Sequence, residues 1–373
     1  MVICGEPSGD LNAANLITEI IRLDPEIRIS GVGGPLMQKT GATTFSDIKE
    51  LSVIGLFDVI KKLPAFFSLQ KLILDKIKKE KPDAVILVDF SGFNLRLAKK
   101  VNRTIPAIYY ISPQVWASRS GRIETIRKHI NKMIVLFKFE EEFYKNLGID
   151  VTFVGHPLLD IVKPTMEKSQ FINQYGLSEA KTIVALLPGS RKQEIDNILP
   201  IMLKTAFYIN RTLNNVQFVI AKSTQVDLNL FIPKIKEFNI DLKIIEGKTY
   251  DCLNAASFAL VASGTATLET AIMQKPFFVI YKMNPLNYLL YRPQVKVPFI
   301  GMVNIVANKL IAPEFIQWQA CPKKIADRAL VLLKNPQNLS RMASELGEVK
   351  SLLGQNGASE RAARVVLEFL KKG

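Results

Sequence analysis

The chain has 373 residues, 48% of them hydrophobic, and a formal net charge of +15. That length exceeds what one core usually serves, so two domains are expected; no apolar run reaches the roughly 18 residues that span a bilayer, and the N-terminus lacks the order of a secretion signal. Three scattered cysteines and the isolated His129 and His156 argue against a disulfide framework and a structural zinc, and point to a reducing, cytoplasmic setting.

Met1-Val2-Ile3-Cys4 reads as a short strand entering the loop Gly5-Glu6-Pro7-Ser8-Gly9-Asp10, followed by a helical pattern through Leu16, Ile17, Ile20 and Ile21. Gly31-Val32-Gly33-Gly34-Pro35 is a second flexible loop. From Leu63 to Ile77, apolar residues including Phe66 and Phe67 alternate with basic ones, and residues 61–81 hold seven lysines against Asp75 and Glu80. Such a helix either lies on an anionic membrane or packs on a sheet while its lysines cover the outside, and the pattern alone favours packing. Ala84–Val88 is a buried parallel strand ending at Asp89-Phe90-Ser91-Gly92-Phe93-Asn94. Further strands begin at Ala107, Lys132 and Val151, with a basic helix containing Arg119, Arg122, Arg127 and Lys128 between the first two. Strands alternating with helices indicate a doubly wound sheet. The polar stretch 161–178 is the expected linker.

The pattern then restarts. Thr182–Leu187 runs into Pro188-Gly189-Ser190-Arg191, where Gly189 permits close backbone approach and Arg191 can fork onto phosphate oxygens. Phe258–Ala262 stops at Ser263-Gly264-Thr265-Ala266-Thr267 and resumes as a helix. This is a candidate phosphate seat, with Glu269 one turn inward to accept from a ribose, although hydroxyls at a helix start are also ordinary caps. Residues 1–160 hold 22 Lys and Arg against 18 acids, and residues 161–373 hold 27 against 16. Between Glu269 and Glu314 there is no carboxylate, which favours anionic ligands there. No helix-turn-helix, RNP or zinc-finger pattern accompanies the charge, so nucleic acid is not an expected partner.

Taken in order, Gly5–Asp10, Phe93-Asn94-Leu95-Arg96, Tyr110–Ala117, Val154-Gly155-His156-Pro157, Leu186–Arg191 and Ala262–Glu269 resemble the lipid-A-disaccharide synthases, glycosyltransferases of GT-B type. The motifs cover nearly the whole chain. The resemblance implies an α/β fold of two Rossmann-like doubly wound domains facing a cleft. These would be an acceptor-side, membrane-facing domain over 1–165 and a UDP-sugar donor domain over 166–356, with a helix over 357–373 packing back on the first. It also implies inverting transfer from UDP-2,3-diacylglucosamine to 2,3-diacylglucosamine 1-phosphate, giving the β-1,6 lipid A disaccharide 1-phosphate and UDP. No metal or redox cofactor is implied. The implied location is the cytoplasmic face of the inner membrane, and a homo-oligomer stays open.

By the same resemblance, Gly189, Ser190, Arg191, Ser263, Gly264, Thr265, Ala266, Thr267, Glu269 and Asn304 would serve the donor. Ser8, Asn94, Phe66 and Phe67 would lie on the acceptor or membrane side, and the membrane becomes the favoured reading of the Leu63–Ile77 segment. The catalytic set would be Asp89, Glu6 and Arg191. The family often carries a second acid where this chain has Gly92, so the base is open among Asp89, Glu6 and Asp10, with Asp89 preferred. A UDP-sugar-binding protein without catalysis, a lipid-carrier glycosyltransferase and a UDP-sugar epimerase are the competing readings.

Overall fold

The computed structural model describes residues 1–47, 63–101, 104–118 and 120–372; of Leu63, Ser120 and Tyr291 only the backbone is described. Arg119, and the lysines at 61 and 62, lie outside the described residues. The chain divides into two compact units, Met1–Pro157 with Leu353–Gly373, and Leu158–Leu352. Residue 165 thus belongs to the second unit and residue 356 to the first.

Unit 1 carries strands β1 (Val2–Ile3), β2 (Ser30–Gly33), β3 (Thr43–Asp47), β4 (Val85–Val88), β5 (Ala107–Tyr110), β6 (Lys132–Val135) and β7 (Val151–Phe153). They form one sheet in the order β3-β2-β1-β4-β5-β6-β7, and every pairing is parallel. Residues Val85–Val88 and Ala107–Tyr110 are buried throughout, as expected of strands covered by helices on both faces. Helix Pro7–Leu23 starts with proline in its first turn, where the missing N–H costs nothing, and buries Ala13, Leu16, Ile17 and Ile20. The C-terminal helix Ala358–Lys372 belongs to this unit. Its Glu360 meets Arg22 at 3.2 Å, and its Arg361 guanidinium donates to the carbonyls of Val154, Gln355 and Asn356.

Helix Leu63–Glu80 buries Leu69, Ile73 and Ile77 in the unit 1 core. Its inner stripe is therefore packing, as the pattern alone favours. Phe66 is half-buried and tilts against Phe90 and Phe93 with centroids 6.1 and 6.0 Å away, whereas Phe67 is 61% exposed. The two neighbouring phenylalanines thus have different environments.

Unit 2 carries β8 (Thr182–Leu187), β9 (Val216–Lys222), β10 (Leu242–Glu246), β11 (Phe258–Ala262), β12 (Phe277–Tyr281) and β13 (Glu314–Ile316). Their order is β10-β9-β8-β11-β12-β13, again all parallel. The stretch read as a linker is held to this unit. Buried Asp251 accepts from the Thr165 and Met166 N–H groups at 2.7 and 3.1 Å and from the Thr165 hydroxyl at 2.8 Å. Phe171 and Ile172 enter the unit 2 core. Among the described residues, no helix is long and apolar enough to cross a membrane.

Candidate functional site

In open parallel sheets, ligands bind outside the carboxyl ends of the strands, where the winding reverses. In unit 1 that point lies between β1 and β4. The loop after β1 presents Glu6 and leads to Ser8, both exposed, and the loop after β4 presents Asp89. Burial pushes the Asp89 carboxyl up to about 6, the nearby Glu6 charge adds to this, and the Phe90 N–H opposes it. Two of the three carboxylates considered as the base are therefore neighbours.

The third has another task. Asp10 is buried, and its carboxylate accepts from the N–H groups of Gly34, Leu36 and Met37 at 2.7, 3.0 and 3.1 Å. It thereby satisfies the start of helix Pro35–Lys39. This use removes Asp10 from the candidates for the base.

The backbone that carries Asp89 is unusual. Asp89 and Phe90 have φ of 48° and 46°, the left-handed region that non-glycine residues seldom adopt. Several contacts impose it. The Asp89 N–H donates to the Tyr110 carbonyl at 3.0 Å, and the Asp89 carbonyl accepts from the Tyr109 hydroxyl at 2.6 Å and the Asn94 amide at 2.9 Å. Asn94 is wholly buried and also donates to the Val88 carbonyl at 3.2 Å. It holds the loop from behind, which differs from the acceptor contact expected of it. The Phe90 ring lies so close over Gly5 that a Cβ there would stand 2.2 Å from a ring carbon, so glycine in the first motif makes room for the second. Gly92, in contrast, is exposed and faces open space, and packing gives no reason for glycine there.

Sequence reasoning does not single out Glu140. It is buried, accepts from the Ser112 hydroxyl at 2.7 Å and the Trp116 indole N–H at 3.0 Å, and has its carboxyl pushed up to about 7 by burial. It braces the Ser112–Trp116 loop. Nothing in the run Glu140-Glu141-Glu142 marks its first member for this task. His156 is buried against Phe137, and burial lowers it to about 4, so it is neutral near pH 7.

In unit 2 the winding reverses between β8 and β11, which brings the loops 188–191 and 263–265 to one end of adjacent strands. Gly189 has φ of 109°, and a Cβ there would stand 2.2 Å from a Glu194 carboxylate oxygen. That oxygen accepts from the Ser190 and Arg191 N–H groups at 2.8 and 3.1 Å. The loop is thus shaped by its own helix, in an arrangement like the acidic half of a capping box. The Arg191 side chain is 82% exposed and approaches Glu194 only to 3.7 Å. Ser190, Gly264 and Thr265 are also exposed, Ser263 and Ala266 half-buried. Thr267 is wholly buried, its hydroxyl donating to the Gly264 carbonyl at 2.8 Å, so it shapes the turn. Glu269 accepts from the Tyr250 hydroxyl at 3.2 Å, and burial raises its carboxyl against that bond.

Asn304 stands apart from this group. It is wholly buried, donates to the Ala312 carbonyl at 2.7 Å and to Glu314 at 2.8 Å, and accepts from the Ile311 and Ala312 N–H groups at 2.9 Å each. Its amide is engaged inside unit 2, unlike the ligand-facing amide that the resemblance implies. Asn304→Ala is expected to destabilise this unit by about 2 to 4 kcal/mol, because it strands buried N–H groups. Urea unfolding measures this, and an unchanged midpoint would deny the amide its structural role.

A family model described as lipid-A-disaccharide synthetase matches residues 1–369. The chain belongs to this family. It is 41% identical to the lipid-A-disaccharide synthase of Syntrophus aciditrophicus, over 100% of this chain and 98% of that one. With the lipid-A-disaccharide synthase of Geobacter sulfurreducens it shares 37% identity, over 100% and 97%. Among solved structures, the calicheamicin glycosyltransferase CalG4 gives a TM-score of 0.62 at 14% identity, covering 99% of this chain and 98% of that one. The UDP-GlcNAc 2-epimerase of Neisseria meningitidis, bound to UDP-GlcNAc, gives 0.57 at 12% identity, covering 100% and 99%. These two likenesses show the fold, two parallel sheets of GT-B type, which this family shares with more distant proteins.

Proposed function

We propose that the chain transfers a 2,3-diacylglucosamine unit from its UDP conjugate to the 6-hydroxyl of 2,3-diacylglucosamine 1-phosphate. The products are the β-1,6-linked disaccharide 1-phosphate and UDP. Family membership supports the substrates. Within the chain, the observation that carries the chemistry is the raised Asp89 carboxyl beside Glu6 at the unit 1 switch point.

An inverting transfer forms one bond from the acceptor oxygen to the anomeric carbon and breaks the bond from that carbon to the UDP oxygen. The acceptor proton passes to a base, and the bonding electrons leave with UDP. Asp89 is that base. A carboxyl titrating at about 6 is ionised at neutral pH yet takes a proton more readily than an ordinary aspartate. Glu6 adds to the rise of the Asp89 carboxyl and is itself exposed. On unit 2, exposed Arg191 answers the diphosphate charge that grows as UDP departs, with Gly189 and Ser190 beside it. The Ser263–Thr265 loop offers hydroxyls and backbone N–H groups to the same diphosphate, and Glu269 accepts from the ribose.

The chain acts at the cytoplasmic face of the inner membrane, where both acylated substrates reside. Exposed Phe67, with Lys71, Lys78 and Lys79 exposed on the same helix, supports contact with an anionic leaflet. The deciding experiment incubates purified protein in detergent micelles with both substrates and follows UDP and disaccharide by mass spectrometry. Equal amounts of the two products are expected. Folded, UDP-binding protein that makes no disaccharide would leave the binding-only reading in its place.

A further inference from the structure

The stretch without carboxylates contains a second surface that the transfer chemistry does not use. After β12, Asn284 accepts from the Leu286 N–H at 2.9 Å and starts helix Pro285–Tyr291. The helix carries Leu286, Leu289 and Leu290 at the i, i+3 and i+4 positions of one face. In a helix packed on a core this stripe points inward. Here the three leucines are 67%, 60% and 59% exposed.

Trp318 is itself 68% exposed and meets the ring of Tyr288, on the same short helix as the leucines, edge-on with centroids 5.5 Å apart. The arrangement is fixed from below. Buried Gln317 donates to the Met283 carbonyl at 2.7 Å and accepts from the Met283 N–H at 3.0 Å, so the helix start and the tryptophan share one frame. Lys282 and Arg292 flank the helix and are exposed, and no carboxylate lies between Glu269 and Glu314. Exposed leucines, the Tyr288–Trp318 pair and the exposed cations Lys282 and Arg292 together match an anionic bilayer: the leucines enter the acyl boundary, the aromatic rings sit at headgroup level and the cations meet lipid phosphates.

We infer that helix Pro285–Tyr291 and Trp318 seat unit 2 on an anionic lipid bilayer, independently of the membrane contact proposed for helix Leu63–Glu80. This goes beyond the transferase reading and stands or falls without it.

The sequence has two tryptophans, and Trp116 is half-buried with its indole bonded to Glu140, so Trp318 is the natural probe. The test mixes the full chain with phosphatidylcholine vesicles, with or without phosphatidylglycerol and with or without brominated acyl chains. Quenching is expected in brominated vesicles that contain phosphatidylglycerol, and its loss is expected in Trp318→Phe. Changing Leu286, Leu289 and Leu290 together to Ser is expected to lower partitioning roughly tenfold or more, with an unchanged thermal midpoint because all three are exposed. Phe67→Ser, which alters the other element, is expected to leave Trp318 quenching in the vesicle-bound fraction intact.

Vesicle-bound protein whose Trp318 is not quenched would overturn the inference, as would wild-type partitioning of the triple variant or a wild-type chain that binds no vesicle at all. Equal binding to vesicles without phosphatidylglycerol would overturn the anionic partner. A dimer that forms without vesicles and is lost in the triple variant would assign the surface to a second copy of the chain and also overturn it. Disaccharide formation in micelles is read separately, so failure of the transferase reading and failure of this one are distinguishable.

Discussion

Asp89→Asn is expected to lower turnover by roughly a hundred- to ten-thousandfold, the usual contribution of a positioned base, while making the fold more stable. The two effects share a cause. Burial and the Glu6 charge raise the Asp89 carboxyl from an ordinary value of 3.8 to about 6. The folded state thus binds the proton more tightly than the unfolded chain does. Its stabilising effect is complete below about pH 3.8 and is lost as pH rises through 6. At neutral pH the ionised carboxylate costs about 2 to 3 kcal/mol relative to the same group in the unfolded chain. Asparagine has no charge to desolvate, and it tolerates the left-handed backbone of this position better than most residues. The gain in stability should therefore appear in urea titrations well above pH 6 and shrink as the pH is lowered through it. Wild-type rates should rise through about pH 6 and level off above it. A variant with undiminished turnover would move the base to Glu6, and one that is slow because it unfolds would make Asp89 a structural residue.

Arg191→Ala should cost roughly two to three orders of magnitude in turnover, the loss seen when one fixed transition-state contact is removed. Stability should change by no more than about 0.5 kcal/mol. The reason lies in how the loop is built. Glu194 binds the backbone N–H groups of Ser190 and Arg191, so the loop does not depend on the exposed guanidinium for its shape. Arg191→Lys should recover only part of the rate, since an ammonium supplies charge without the planar fork. Single-turnover kinetics with saturating donor, beside circular dichroism, would check both parts. Full activity in the alanine variant would end the proposed role in UDP departure.

Much of this organisation is legible in the sequence because fully buried parallel strands appear as continuous apolar runs. Ala84–Val88, Thr182–Leu187 and Phe258–Ala262 each end at residues that the sheet order brings to a switch point. Side-chain partnership is harder to read. Asp10 closes a glycine-rich sequence motif and looks like a catalytic acid, but it lies in the first turn of helix Pro7–Leu23 and its bonds go to N–H groups at 34–37, which no local pattern connects to it. Asn304 and Asn94 look available for ligands for the same reason, and each bonds the backbone of a neighbouring loop. Polarity misleads at the boundary between units. The stretch around Thr165 is polar because a buried aspartate from the 249–255 helix binds it, not because it is an unanchored linker. The leucines at 286–290 pass unnoticed within a region without carboxylates, since a stripe of this kind ordinarily faces a core.

The return of the last helix to unit 1 bears on the order in which the chain acquires structure during synthesis. Residues Leu158–Leu352 form one uninterrupted unit, so its sheet can close while the residues that follow are still inside the ribosome. Unit 1 begins first but lacks the helix that packs against Pro7–Leu23 until residues 358–372 emerge. The unit that comes first in the sequence is therefore completed after the second, and a chain cut after Leu352 would carry a finished second unit with the first still lacking its last helix.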